Sequence, residues 1–494
     1  MTVENLTALL ISVPFIQAFI VLFLNRNARR QMNQFFSVCN LSIAGYTFYL
    51  FHSTKINSII VGGWSDVLGI SLGVNHLSSS LILLTAVIFG SCNFYQYTLD
   101  KTLSKKNSEN KNSSFWAVIY ILWASLNALF LSRDIFNIYI TLELVTLSAV
   151  ALIAFKKDAK AISASIRYLF LALVGSLFYL FGVALLYYKF GILNIDLIST
   201  TIDLGGQPDI ITYYAFTLMI VGLCIKTAAF PFHFWLPPAH ANASTIVSAI
   251  LSAIVVKASF YLIYILIGTL FIDTISTPFK YFIGLIGSIS IIWGGLMAIA
   301  QNELKKIAAY STVSQLGYLF LFAPLLIGQS DIPYKVEAIV LLQIWSHALL
   351  KTAFFLALGN VILISGKKTL EAITSKRVRT HGKKSIMAIG IIGIGLIGLP
   401  PSAGFLVKWY LLSESMTYLL WPFIIPIILG SVLAAIYIFK ILEKTITQDT
   451  IAEDTNNKTS DIHSLCQWIP LGLATLSILV GVFSSFMIQF GELS

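Results

Sequence analysis

Six ionisable residues lie among apolar neighbours: Glu143, Lys226, Lys257, His347, Lys351 and Lys408. A charge in such surroundings is costly, and intramembrane ionisable residues mark proton and ion pathways. Glu143, in "FNIYITLELVTLSAVALIAF", is the only acid well inside its run. Burial disfavours the charged form of an acid or a lysine, and an opposite charge nearby restores it. Lys226, just ahead of "AAFPFHFWLPP", is therefore a candidate partner for Glu143, able to hold or release a proton. Two plainer readings stand beside this one: a structural ion pair, and a lysine snorkelling from the end of a span.

Lys257 lies too deep in "SAILSAIVVKASFYLIYI" to snorkel easily, and Ser248 and Ser252 upstream offer hydroxyls to hold water. His347 and Lys351 are four apart in "SHALLKTAFF" and share a helix face. A histidine of ordinary pKa, about 6.5, passes protons in either direction. Lys408 follows a second proline-rich break, "GLPPSAGFLVKW". His233 and His240 flank the loop after Lys226, and two roles fit them, relay member or cap on a broken helix. Lys305 and Lys306 read as loop charges. Connected by water, the six residues form a proton wire.

The elements that must position them are membrane helices. Of the 494 residues 57% are hydrophobic and 11% charged, with a mean hydropathy of +0.84. Soluble domains carry about a quarter charged residues, so the composition excludes a soluble core. A span needs around 20 apolar residues. Fourteen runs qualify: 5–24, 34–53, 76–98, 115–131, 135–155, 163–189, 209–229, 243–270, 281–300, 308–328, 336–365, 385–412, 420–442 and 467–490. The fold class expected is all-α and polytopic, one transmembrane domain over 1–494.

The net charge of +10 is a topology signal and does not point to nucleic acid. Lys and Arg gather in the loops after odd-numbered runs, above all in 366–384, and cytoplasmic loops carry such an excess. Both termini are therefore expected outside. The first run is not a cleaved signal, because no positive charge precedes it. Cys39, Cys92, Cys224 and Cys466 are scattered packing residues. No phosphate-cradling glycine loop, zinc spacing or paired-histidine haem pattern occurs, so neither cofactor nor metal is expected.

Runs seven and twelve are interrupted, at Pro231, Pro237 and Pro238 and at Pro400 and Pro401. Proline removes a backbone donor and clashes one turn back. Such breaks persist in lipid where protein or a wet cavity satisfies the freed carbonyls. Breaks five runs apart fit two inverted five-helix repeats, runs 4–8 over 115–270 and runs 9–13 over 281–443. Residues 1–114 then hold runs one to three, and 467–490 the last run.

"KTAAFPFHFWLPPAHANAS", "HALLKTAFFLALG" and "GLPPSAGFLVKWYLL" resemble the antiporter-like subunits of respiratory complex I, Mrp-type cation/proton antiporters and membrane-bound hydrogenases. The resemblance runs from about run three to run thirteen and looks closest to the Mrp D-like type. It implies fourteen membrane helices with inverted repeats, and it gives the six residues above the roles of the family's proton path. It further implies a multisubunit sodium/proton antiporter with other membrane subunits as partners and no enzyme activity of its own. The alternatives are a proton-pumping subunit of a complex I-like or hydrogenase complex, and a stand-alone transporter. The chain fits the shorter type that lacks a long C-terminal lateral helix. Two departures stand out: Ser244 where relatives carry proline, and "VNHLSS" where many carry an acid.

Overall fold

The computed structural model describes residues 3–53, 59–61, 69–102, 113–205, 209–272, 275–328, 334–446 and 464–484. The basic loop 99–114, Lys55, most of 444–465 and the end of the last run fall largely or wholly outside them.

The chain is helical almost throughout. Its long helices are α1 (Val3–Phe23), α2 (Arg26–Ser53), α3 (His76–Thr102), α4 (Ser113–Leu131), α5 (Ile135–Ala154) and α6 (Ala159–Phe190). The seventh run gives α7a (Ile210–Thr227) and the short α7b (Leu236–Asn242). α8 then runs continuously over Thr245–Leu270. There follow α9 (Thr277–Ala300), α10 (Leu304–Phe320), α11 (Tyr334–Ser365), the halves α12a (Lys383–Ile397) and α12b (Ala403–Thr417), α13 (Trp421–Ile446) and α14 (Ser464–Val482). Among the described residues, 11 helical segments are long and apolar enough to cross a membrane. α2, α10 and the two halves of α12 are not among them.

Several helices start earlier than hydropathy alone indicates, because polar caps lie outside the apolar runs. Asp158 accepts a backbone N–H bond from Ala161 at 2.6 Å, which opens α6 at Ala159, and Asp209, at the expected start of its run, opens α7a likewise by accepting from Thr212 N at 3.1 Å. Asn25 serves α2 in the same way, accepting from Ala28 N at 3.0 Å. Among the described residues, an antiparallel pair of three-residue strands departs from the all-helical pattern: β1 (Ile59–Val61) and β2 (Ile70–Leu72), with Ile60 opposite Ser71.

The prolines of the seventh run act differently from expectation. α7a ends at Ala228, which has left-handed backbone (φ 58°). Pro231 precedes a tight turn, Phe232–Trp235. Pro237 and Pro238 break nothing; they occupy the first turn of α7b, where a proline's missing N–H has no helical partner to lose. In the twelfth run the helix stops at Gly398 (φ 82°), and Pro400 and Pro401 lie in the turn before Ser402 caps α12b.

Two features place the ionisable residues. α6 and α7a touch backbone to backbone, and a Cβ on Gly175 or Gly222 would run into the other's carbonyl. α8 is buried in protein over almost its whole length, and its single lysine, Lys257, is shielded from lipid. α8 also widens into π-helical turns at Leu251–Val255 and Leu266–Leu270, which sequence pattern did not indicate.

Candidate proton pathway

Close packing of α6 on α7a carries Lys226, in the last turn of α7a, over Glu143 of α5. Lys226 Nζ lies 3.1 Å from Glu143 Oε1 and donates to Thr146 Oγ1 at 2.9 Å. The hydroxyl of Ser176 on α6 donates to the same carboxylate oxygen. The Lys226 side chain is 4% exposed, which excludes snorkelling, whereas Glu143 retains 17% exposure. Trp235 fixes the break beside them. Its indole donates to Ile225 O at 3.0 Å, and its ring stacks on Tyr168 with centroids 4.1 Å apart.

Lys257 is wholly buried in the middle of α8. Its ammonium donates to Ser252 O at 3.1 Å and Ala253 O at 2.7 Å, both in the first π-helical turn. A turn closed by i→i+5 bonds leaves carbonyls with spare capacity, and Lys257 uses it. The two serine hydroxyls are engaged elsewhere. Ser248 Oγ donates to His240 O at 2.9 Å, and Ser252 Oγ bonds Thr312 Oγ1 at 2.8 Å. What Ser252 gives Lys257 is its carbonyl.

Across from α8, His347 and Lys351 lie on α11. Lys351 turns to α10, donating to Ala308 O at 3.1 Å and to the Ser311 hydroxyl. His347 is buried, and neither ring nitrogen has a hydrogen-bond partner among the described residues. The charges of Lys257 and Lys351 both act on it. Buried polar atoms of this kind are normally satisfied by ordered water. His240 of α7b is in the same condition, flat against Phe355 with centroids 4.9 Å apart and open to the charges of Lys351 and Lys305.

Lys408 reaches back across the second break. Its ammonium caps the carbonyl end of α12a, donating to Leu396 O at 2.9 Å and Ile397 O at 2.8 Å, with the Tyr318 ring 5.0 Å away. A helix C-terminus carries partial negative charge and favours a cation there. Gln315 shares Leu396 O at 3.3 Å, and Gln343 donates to Gln315 O at 3.0 Å, so a polar strip joins α12a to α10 and α11.

The remaining residues divide. His233 accepts from Trp293 Nε1 at 3.0 Å and stands apart from the row. Lys306 pairs with Glu303 at 2.8 Å as a surface charge. Lys305 does not behave as a loop charge: it donates to Ala243 O at 2.8 Å, at the joint between α7b and α8. Thr146, Ser176, Ser311, Gln315 and Gln343 also enter the site. Sequence offers little to single them out, because hydroxyl and amide residues are scattered through these helices.

The arrangement can hold a proton at an acid–lysine pair and pass it through buried lysines and a histidine that need water. Residues 132–434 match the family described as "NADH:quinone oxidoreductase/Mrp antiporter, TM". The chain is 33% identical over 392 residues to the N subunit of NADH-quinone oxidoreductase from Desulforudis audaxviator, covering 78% of this chain and 74% of that protein. It is 25% identical over 410 residues to the D-type subunit of the Na(+)/H(+) antiporter from Bacillus subtilis, covering 82% and 80%. Its fold matches a chain of the Mrp complex from Dietzia sp. DQ12-45-1b with a TM-score of 0.86 at 19% identity, over 100% of this chain and 97% of that one. The family match over 132–434 covers both broken helices and all six ionisable residues of the row, and the chain belongs to the NADH:quinone oxidoreductase/Mrp antiporter transmembrane family.

Proposed function

We propose that this chain is the proton-translocating subunit of a multisubunit sodium/proton antiporter, not itself an enzyme, in the cytoplasmic membrane. The observation that carries the reading is the Lys226–Glu143 contact of 3.1 Å beside a broken helix end. Likeness to D-type antiporter subunits supports it. A proton is held on Lys226 while Glu143 and Thr146 stabilise its charge. Movement of Glu143 away from Lys226 removes that stabilisation, and the proton passes to Lys257. From there it crosses His347 and Lys351 and leaves by Lys408.

In this reading all fourteen runs cross the membrane, helices 4–8 and 9–13 are inverted repeats, and both termini lie outside. Support for the repeats comes from the two breaks: each sets a lysine beside a helix that stops at a left-handed residue ahead of a proline turn. Moving one charge through 100 mV involves about 2.3 kcal/mol, so a second ion or a redox partner must supply or absorb that amount.

The test is antiport in vesicles from cells expressing the whole complex. Glu143→Ala and Lys226→Ala each abolish proton exchange while the complex still assembles; unchanged exchange in either overturns the reading. A second reading, a membrane-arm subunit of a redox-driven proton pump, is favoured by the likeness to the N subunit of an NADH-quinone oxidoreductase. The co-purifying subunits separate the two, since iron–sulfur proteins belong only to the second.

A further inference from the structure

Away from the row between Glu143 and Lys408, two polar side chains meet at the end of the bundle that faces outward in the reading above. His76 opens α3, and its Nδ1 lies 3.1 Å from Glu337 Oε1 in the first turn of α11. The two side chains are 15% and 31% exposed, so the pair touches solvent without being surrounded by it. Lys335, two residues earlier, is engaged by Glu414 at 3.6 Å, which leaves His76 as the ionic partner of Glu337 among the described residues.

Tyr264 of α8 belongs with this pair. The charge of Glu337 acts on its hydroxyl. That hydroxyl is buried and has no hydrogen-bond partner among the described residues. Burying a hydroxyl without a partner is costly, and ordered water ordinarily removes the cost. Tyr264 follows Lys257 by seven residues, which is two turns and about 10 Å along the same face of α8. Tyr261, between them, is committed elsewhere: its hydroxyl donates to Phe130 O at 3.1 Å. His347, whose ring nitrogens are equally unpartnered, lies within reach of the Lys257 charge. The unpartnered polar atoms thus mark a line from the centre of the bundle towards Glu337.

We propose that Tyr264 and Glu337, with His76 holding the carboxylate, form a second proton port that joins Lys257 to the outer face independently of Lys408. The transfer balances in protons. The Lys257 ammonium gives a proton to intervening water, and that water passes one to the Tyr264 oxygen as the hydroxyl gives its own, through a further water, to Glu337. Tyr264 ends uncharged, and the Glu337 carboxyl releases its proton to the outer solvent. The port gives the centre of the chain a direct exit, where the row through α12 gives it a lateral one.

This inference rests on the proton-carrier reading, and the experiment keeps the two apart. Proton movement is measured in vesicles holding the whole complex for Tyr264→Phe, Glu337→Gln, Glu337→Asp and Lys257→Ala. Tyr264→Phe keeps the ring and its packing against Phe322, with centroids 5.3 Å apart, so folding is retained. Tyr264→Phe and Glu337→Gln each slow proton movement by at least roughly tenfold, as loss of a proton-transfer group does, while Glu337→Asp keeps most of the rate. Parent rates in Tyr264→Phe overturn the port. That holds also where Glu337→Gln is slow, because His76 and Glu337 are then only a clamp between α3 and α11. Failure of the wider reading looks different: there Lys257→Ala also runs at the parent rate.

Discussion

Lys226 and Lys408 show how the same side chain is made tolerable in two ways. Lys226 has a carboxylate and a threonine hydroxyl, whereas Lys408 has two backbone carbonyls and no acid bonded to it among the described residues. Removing one member of a buried charge pair strands the other, typically at about 3–5 kcal/mol. Lys226→Ala should therefore lower the melting temperature of the purified complex, and Lys226→Ala with Glu143→Gln should recover part of the loss. Equal melting points for the single and double variants would argue against a coupled pair. Thr146→Val keeps the charge pair and removes one hydrogen bond of Lys226, so it should slow transport only a few-fold, on the scale of about 1 kcal/mol. The six ionisable residues were legible because charge in an apolar run is rare. Thr146, Ser176 and Tyr264 were not, because hydroxyl side chains are ordinary in such helices and only the fold shows which of them face a charge. Lys305 was misread because its position at the start of α10 looked like a loop, whereas it reaches across to Ala243 O.

Most helices followed from hydropathy to within a few residues, and the earlier starts of α2 and α6 came from the caps Asn25 and Asp158. The π-helical turns of α8 left no trace in the sequence, since they depend on how Lys257 and its neighbours are packed. Pro237 and Pro238 were misjudged for a reason that geometry makes plain: a proline terminates a helix or begins one according to where the preceding turn ends. Ser244 illustrates the converse. Its backbone (φ −64°, ψ 160°) suits proline, Ala243 before it is extended, and its hydroxyl is buried without a partner among the described residues. Ser244→Pro should stabilise the protein by roughly 0.4–1 kcal/mol through a less flexible unfolded chain, read as a higher melting temperature at unchanged transport. Destabilisation would show that the Ser244 N–H has a role the backbone does not reveal. Gly222→Leu should do the opposite, forcing α7a off α6 and drawing Lys226 away from Glu143, with loss of transport before loss of the fold.

At the scale of the whole molecule, polytopic character and family were legible from composition and three motifs, whereas contacts between distant runs were not. His76 meets Glu337 across more than half the chain, and no local pattern announces such a pair. The proposed orientation has its own check: a cleavable tag before residue 1 should be cut by protease added outside intact cells. Protection there, with cutting only after lysis, would invert the topology and place the Glu337 end on the cytoplasmic side. The enclosure of α8 bears on how the protein is made. Chains are synthesised from the N-terminus, so α8 enters the bilayer before α11 exists to cover it. During that interval Lys257 faces whatever surrounds a half-built bundle. The strong mean hydropathy of α8, 2.3 over 18 residues with Lys257 included, offsets that lysine while the helix waits. Nascent chains halted before Tyr334 should consequently be short-lived in cells, and substituting Lys257 by leucine should lengthen their survival even as it abolishes transport in the finished protein.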